Sequence, residues 1–142
     1  MKKGVDHVGI TICYFCHDGQ GRYLFQKRGI NCRDEHGVWA AGAGALELHD
    51  TVENTLRKEI REEFCAEVLE SEYLGFRDVH RTHDGERTHW IALDFKVRLD
   101  PSEVTNGEPH KFDEIGWFRL DDRPSPEHSQ TRDNLEKYKD RL

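Results

Sequence analysis

The sequence predicts an α/β domain, with strands on both sides of one strong helix and a second helix at the end. Three patterns predict it. Apolar residues alternate over residues 5–16 and 88–99, which marks strands. Val52, Leu56, Ile60 and Phe64 recur every fourth residue, which marks one buried helix face. The turn clusters His17–Gly21 and His83–Glu86 sit where neighbouring strands would reverse.

In the first strand, Val8, Ile10, Ile12 and Tyr14 share one face and His7, Gly9, Thr11 and Cys13 the other. Residues 22–28 complete a hairpin. Residues 30–37 form a polar loop, and residues 38–47 a short small-residue strand that opens into a loop. Asp50 is placed to cap the helix, with Glu53 three residues on as in a capping box. Residues 67–81 read as a strand. Residues 88–99 follow as its hairpin partner, with His89, Ile91, Leu93, Phe95 and Val97 on one face. A charged loop, 100–113, leads to a last short strand, 114–120. Pro124-Ser125-Pro126 breaks the chain before a terminal helix over 127–142, with Thr131, Leu135 and Tyr138 facing inward. Without repeats, low-complexity tracts or a linker, residues 1–142 read as a single domain.

Composition narrows the functional classes. At 142 residues the chain is long enough for a real core. Three Trp, four Tyr and seven Phe argue against disorder. No stretch is long and apolar enough to span a membrane, and the first residues lack the pattern of a signal peptide. A cytoplasmic protein is expected. The net charge of -7 disfavours a nucleic-acid polymer as partner. A phosphorylated small molecule stays open if metal ions mask both charges. Cys13-Tyr14-Phe15-Cys16-His17 matches a haem attachment pattern, but it lies on a strand. A zinc site from Cys13, Cys16 and Cys32 is disfavoured too, because a strand sends residues three apart to opposite faces. Packing thiols are the expected role.

The chemistry concentrates on the helix. Glu59, Glu62 and Glu63 stand at i, i+3 and i+4 and share one side. Glu59 and Glu63 fall near the edge of the apolar stripe, at the rim of the core. Carboxylates crowded there repel one another unless a cation neutralises them. A hard divalent ion with a preference for oxygen, such as Mg2+, suits them.

These glutamates belong to a longer pattern: Gly44-x5-Asp50-x7-Lys58-Glu59-Ile60-x-Glu62-Glu63-x-Cys65. It resembles the box of the Nudix hydrolase (MutT-like) family, with Gly44, Glu59, Ile60, Glu62 and Glu63 in register. Trp39 upstream and the Gly116-Trp117-Phe118 strand extend the resemblance over most of the chain. It implies an α/β/α sandwich around a mixed sheet. It also implies Mg2+- or Mn2+-dependent hydrolysis of a nucleoside diphosphate linked to another moiety. Under it, Glu59, Glu62 and Glu63 are catalytic and metal-binding, and the Gly44 carbonyl is a further candidate ligand. The box departs from the family at Asp50, Lys58, Cys65 and Ala66. Cys65 replaces a glycine where a left-handed backbone is common.

Five more residues are candidates for the substrate or metal. Lys27 and Arg28 end a strand where a cation would meet phosphate. Trp39 either stacks on a base or packs internally. Glu47 either reaches the metal or makes a loop salt bridge. Glu108 lies in the late loop, with Asp113 and Glu114 as rival carboxylates. His80 and His83 are expected at the surface and His89 at the core edge. Two other readings keep the fold: an isopentenyl-diphosphate-isomerase-like enzyme using Cys32, and a nucleotide-binding domain without turnover. No residue pattern sets the substrate or the oligomeric state, and a homodimer stays open.

Overall fold

The computed structural model describes residues 1–142. The chain runs β1 (Gly9–His17), β2 (Arg22–Arg28), β3 (Trp39–Ala40), β4 (Gly42–Ala45) and α1 (Val52–Phe64). It continues through β5 (Glu70–His83), β6 (Glu86–Arg98), β7 (Phe112–Arg119) and α2 (Thr131–Lys137). The strands make one mixed sheet of order β3-β2-β1-β6-β5. β1 and β6 run parallel from Gly9↔Trp90 to His17↔Arg98, and the other pairings are antiparallel. β1 meets β2 only at the hairpin, His17↔Tyr23. The rest of that β1 edge is taken by β4, while β2 pairs with β7.

Each sheet face carries its own core. On one side, Leu56, Ile60 and Phe64 of α1 pack on Ile12, Tyr14 and Cys16 of β1 and on Val97 and Leu99. On the other, Leu135 and Tyr138 pack on Phe15, Tyr23, Phe25, Trp39 and Leu74. The result is a helix/sheet/helix sandwich, in which the strand period of two sends alternate residues of β1 to opposite cores. Cys13 and Cys16 point to opposite faces for the same reason, and all four cysteines are free. Val8 and Ile10, on the expected buried face, are exposed and join neither core.

Two helix boundaries differ from expectation. The N-cap of α1 is Thr51, whose hydroxyl accepts from Asn54 N at 3.0 Å. Asp50 sits one position out, accepting from Thr51 N and from the Thr55 hydroxyl. Glu53 pairs forward with Arg57 and makes no capping box. The terminal helix is shorter than 127–142. Residues before Thr131 are held in extended contact with Trp39, whose N donates to Pro126 O and whose carbonyl accepts from His128 N. Thr131, Leu135 and Tyr138 do face inward.

α1 ends on Cys65, at φ 58° and ψ 26°, with its N–H donating to Arg61 O. A side chain in this left-handed region costs energy that glycine avoids. Cys65 is exposed, so little burial is lost on removing the thiol. Cys65→Gly is expected to raise stability by about 0.5–1 kcal/mol, read as a higher urea midpoint at unchanged slope. A lower midpoint would show that the cap is unstrained.

Candidate active site

α1 presents its three glutamates at graded depth. Glu63 is 2% exposed, Glu59 is half-buried and Glu62 faces solvent. Burial pushes the Glu63 carboxyl up to about 8, and the charges of Glu108 and Glu59 add to the rise. Gln26 Nε2 opposes it by donating to Glu63 Oε2 at 2.9 Å. The Tyr14 hydroxyl lies beside Glu63 but forms no well-shaped hydrogen bond, and Gln26 Oε1 is also unpartnered. Burial raises Glu59 as well, followed by the charge of Glu62, against partial relief from Lys58.

Gly44 completes this corner. β4 lies against α1 so closely that a Cβ at Gly44 would overlap the Glu59 carboxyl group. The Gly44 carbonyl accepts from Thr11 Oγ1 at 3.2 Å. Because the neighbour is a side-chain end, Gly44→Ala would push the Glu59 carboxylate aside with little effect on the fold. Activity is expected to drop about 10–100-fold, as for other lost positioning contacts, while thermal unfolding shifts by no more than about 2 °C. Unchanged kinetics would show that Glu59 need not occupy that place.

The late loop is sewn to the end of α1. Thr105 N donates to Phe64 O and Gly107 N to Glu63 O. A Cβ at Gly107 would collide with the Glu62 carbonyl, so this close approach requires glycine. The stitching brings Glu108 near enough for its charge to act on both Glu59 and Glu63.

The other candidates lie in varied settings. Lys27 pairs with Glu114 at 3.8 Å, and Arg28 with Asp34 at 3.1 Å. Glu47 is exposed and paired with Lys3 at 2.7 Å. Trp39 is buried in the second core, edge-on to Phe118. Thr11, Tyr14 and Gln26 were not singled out from the sequence. They reach the site through sheet register, which local pattern does not reveal.

A cavity of about 300 Å³ opens on the opposite face of β4. Ala43 and Ala45 line it beside Thr11 and Cys13, so Gly44 stands between cavity and carboxylates. Arg28, Arg33, Arg77 and Arg81 supply positive charge, and Gln130 and Asn134 supply amides. Arg77 is held by Asp94 through two hydrogen bonds, at 2.7 and 2.8 Å.

The donor set fits a hard divalent cation. Glu59, Glu62, Glu63 and Glu108 offer only oxygen, and burial with neighbouring negative charge holds the carboxyls of Glu59 and Glu63 above their ordinary range without a counter-charge.

A NUDIX domain family model matches residues 7–138. The chain belongs to the Nudix family. Among its relatives, the nucleoside triphosphatase NudI of Klebsiella pneumoniae (strain 342) is 31% identical over 110 residues, covering 72% of this chain and 77% of that protein. NudI of Enterobacter sp. (strain 638) is 34% identical over 104 residues, covering 68% and 72%. The crystal structure of a MutT NUDIX hydrolase from Burkholderia pseudomallei superposes with a TM-score of 0.80 at 28% identity. It covers 93% of this chain and 98% of that one. The chain is therefore a Nudix hydrolase of MutT-like type, and its sandwich is the Nudix fold.

Proposed function

We propose that this Nudix hydrolase is a Mg2+- or Mn2+-dependent pyrophosphohydrolase whose substrate is a nucleoside triphosphate. One observation carries the reading: Gly44 separates the carboxylate cluster on α1 from a cavity rimmed by arginines. A nucleoside in the cavity would extend its phosphates over β4 toward Glu59, Glu62 and Glu63. The two NudI relatives, named as nucleoside triphosphatases, favour this substrate class.

In this reading Glu59, Glu62 and Glu63 hold the cation, with the Gly44 carbonyl as a further ligand and Glu108 close by. A bound divalent ion would screen the diphosphate and make a bound water more acidic. Gln26 fixes one oxygen of Glu63. Arg28, Arg77 and Arg81 are ion-paired to Asp34, Asp94 and Glu35, which leaves Arg33 of the cavity rim to draw in the polyanion. The whole of residues 1–142 acts as one functional unit. No helix is long and apolar enough to cross a membrane.

An isomerase chemistry based on Cys32 has less support. That thiol is buried and donates to Lys111 O, a structural role.

The test is a panel of nucleoside triphosphates, nucleotide sugars and dinucleotides, incubated with Mg2+ or Mn2+. A triphosphate is expected to give monophosphate and pyrophosphate, with no turnover in EDTA. Turnover confined to nucleotide sugars or dinucleotides would reject the triphosphate assignment. Turnover unaffected by EDTA would reject metal dependence.

A further inference from the structure

The β5–β6 hairpin carries a second group of ligand-type side chains, independent of the carboxylate cluster on α1. His80 and His89 are direct cross-strand partners. Asp78 lies two residues before His80 on the same sheet face. The imidazole rings approach to 4.2 Å between centroids at 30°. His89 Nε2 is 3.0 Å from Asp78 Oδ1. One ligand atom from each of the three residues lies within 4.8 Å of the others.

Neutral imidazoles present nitrogen lone pairs, and a nearby carboxylate adds a negative oxygen. Two nitrogens and one oxygen match three protein ligands of a tetrahedral zinc site. With bonds of about 2.0–2.1 Å, such ligand atoms stand roughly 3.3 Å apart. The Asp78–His89 pair is already near that spacing, and the exposed His80 ring can close the remainder by rotation. The sheet fixes all three Cα positions, so little backbone ordering remains.

A rival trio, Asp34, Glu35 and His128, is equally compact but committed elsewhere. Asp34 accepts from Arg28 and pairs with Arg81, and Glu35 is bound by Arg81, Ser129 and His128. Its acceptors are spent on tying the 30–37 loop to Arg28, Arg81 and the 128–129 segment. Asp78 makes no ion pair other than that with His89.

We infer that Asp78, His80 and His89 form a surface site for a borderline divalent transition metal, with zinc the best match. Imidazole selects this class over Mg2+, so the site and the carboxylate cluster would sort metals by ligand chemistry. The fourth position faces solvent.

The test titrates Zn2+ into the full chain by calorimetry, after chelator treatment and in excess Mg2+ to saturate the carboxylate site. Wild type is expected to bind one zinc ion. His80→Ala and His89→Ala should each weaken it about tenfold or more, the scale of a lost metal-site contact. Glu62→Gln should bind zinc as wild type does. Because His80 and His89 are at the surface, metal-free unfolding of both variants should match wild type. Cobalt substitution adds a second readout: visible ligand-field bands in wild type that are absent in His89→Ala. No zinc binding, wild-type affinity in both histidine variants, or loss only in Glu62→Gln would each overturn the assignment.

Discussion

Glu63→Gln is expected to lower kcat/KM for nucleoside triphosphate hydrolysis by about 1,000-fold, the scale of removing one group that stabilises transition-state charge. Glutamine keeps the size and the contact to Gln26 but loses the charge that a cation would meet. The same substitution should have the opposite effect on stability. The folded carboxyl is raised to about 8 from an ordinary 4.5, chiefly by burial. Between those values the folded chain binds a proton that the unfolded chain has released. Metal-free stability should therefore fall as pH rises from about 4.5 through about 8, with loss complete above that. Glu63→Gln abolishes this slope, and at pH 9 in EDTA the variant should exceed wild type by on the order of 3 kcal/mol. Urea unfolding at pH 5.5 and 9 reads both proteins. Parallel pH dependence would show that Glu63 ionises freely when folded.

Asp94→Ala is expected to destabilise the chain by about 3–5 kcal/mol, the usual consequence of stripping one partner from a buried ion pair. Asp94 is 0% exposed and binds Arg77 through both oxygens, while its Oδ2 also accepts the Tyr138 hydroxyl at 2.6 Å. It joins β6, β5 and the end of α2. Alanine leaves the Arg77 guanidinium with its desolvation cost and no counter-charge. The melting temperature should fall by about 10 °C. Arg77→Met in the same chain should recover part of the loss, since both charges are then gone. A fall under about 1 kcal/mol for Asp94→Ala would mean that water replaces the carboxylate.

What the sequence disclosed follows the range of the forces involved. The α1 stripe and the side shared by Glu59, Glu62 and Glu63 are local, set by 3.6 residues per turn, and the helix carries them as expected. The two-faced β1 is local in the same sense. Asp50 is the cap that the sequence suggests, but backbone geometry gives the place to Thr51, which is extended and accepts from Asn54 N. The terminal helix starts later than its sequence pattern suggests because the Trp39 backbone claims the residues before it. In the sequence Asp94 is one polar residue within the alternating stretch 88–99. Its burial depends on Arg77 across the hairpin and Tyr138 from the last helix, neither of which local pattern links to it. Gly44 was legible as a box residue. That its missing Cβ makes room for Glu59 depends on how β4 packs against α1.

Proton release on metal binding tests the central claim most directly. At pH 7 a Glu63 carboxyl raised to about 8 is mostly protonated in the metal-free chain, and a cation held by Glu59, Glu62 and Glu63 must displace that proton. Calorimetric Mn2+ titration in two buffers of different ionisation enthalpy counts it. Wild type should release about one proton per ion bound, and Glu63→Gln should release close to none while binding the ion more weakly. Equal release and equal affinity in the two proteins would place the metal elsewhere and contradict the account.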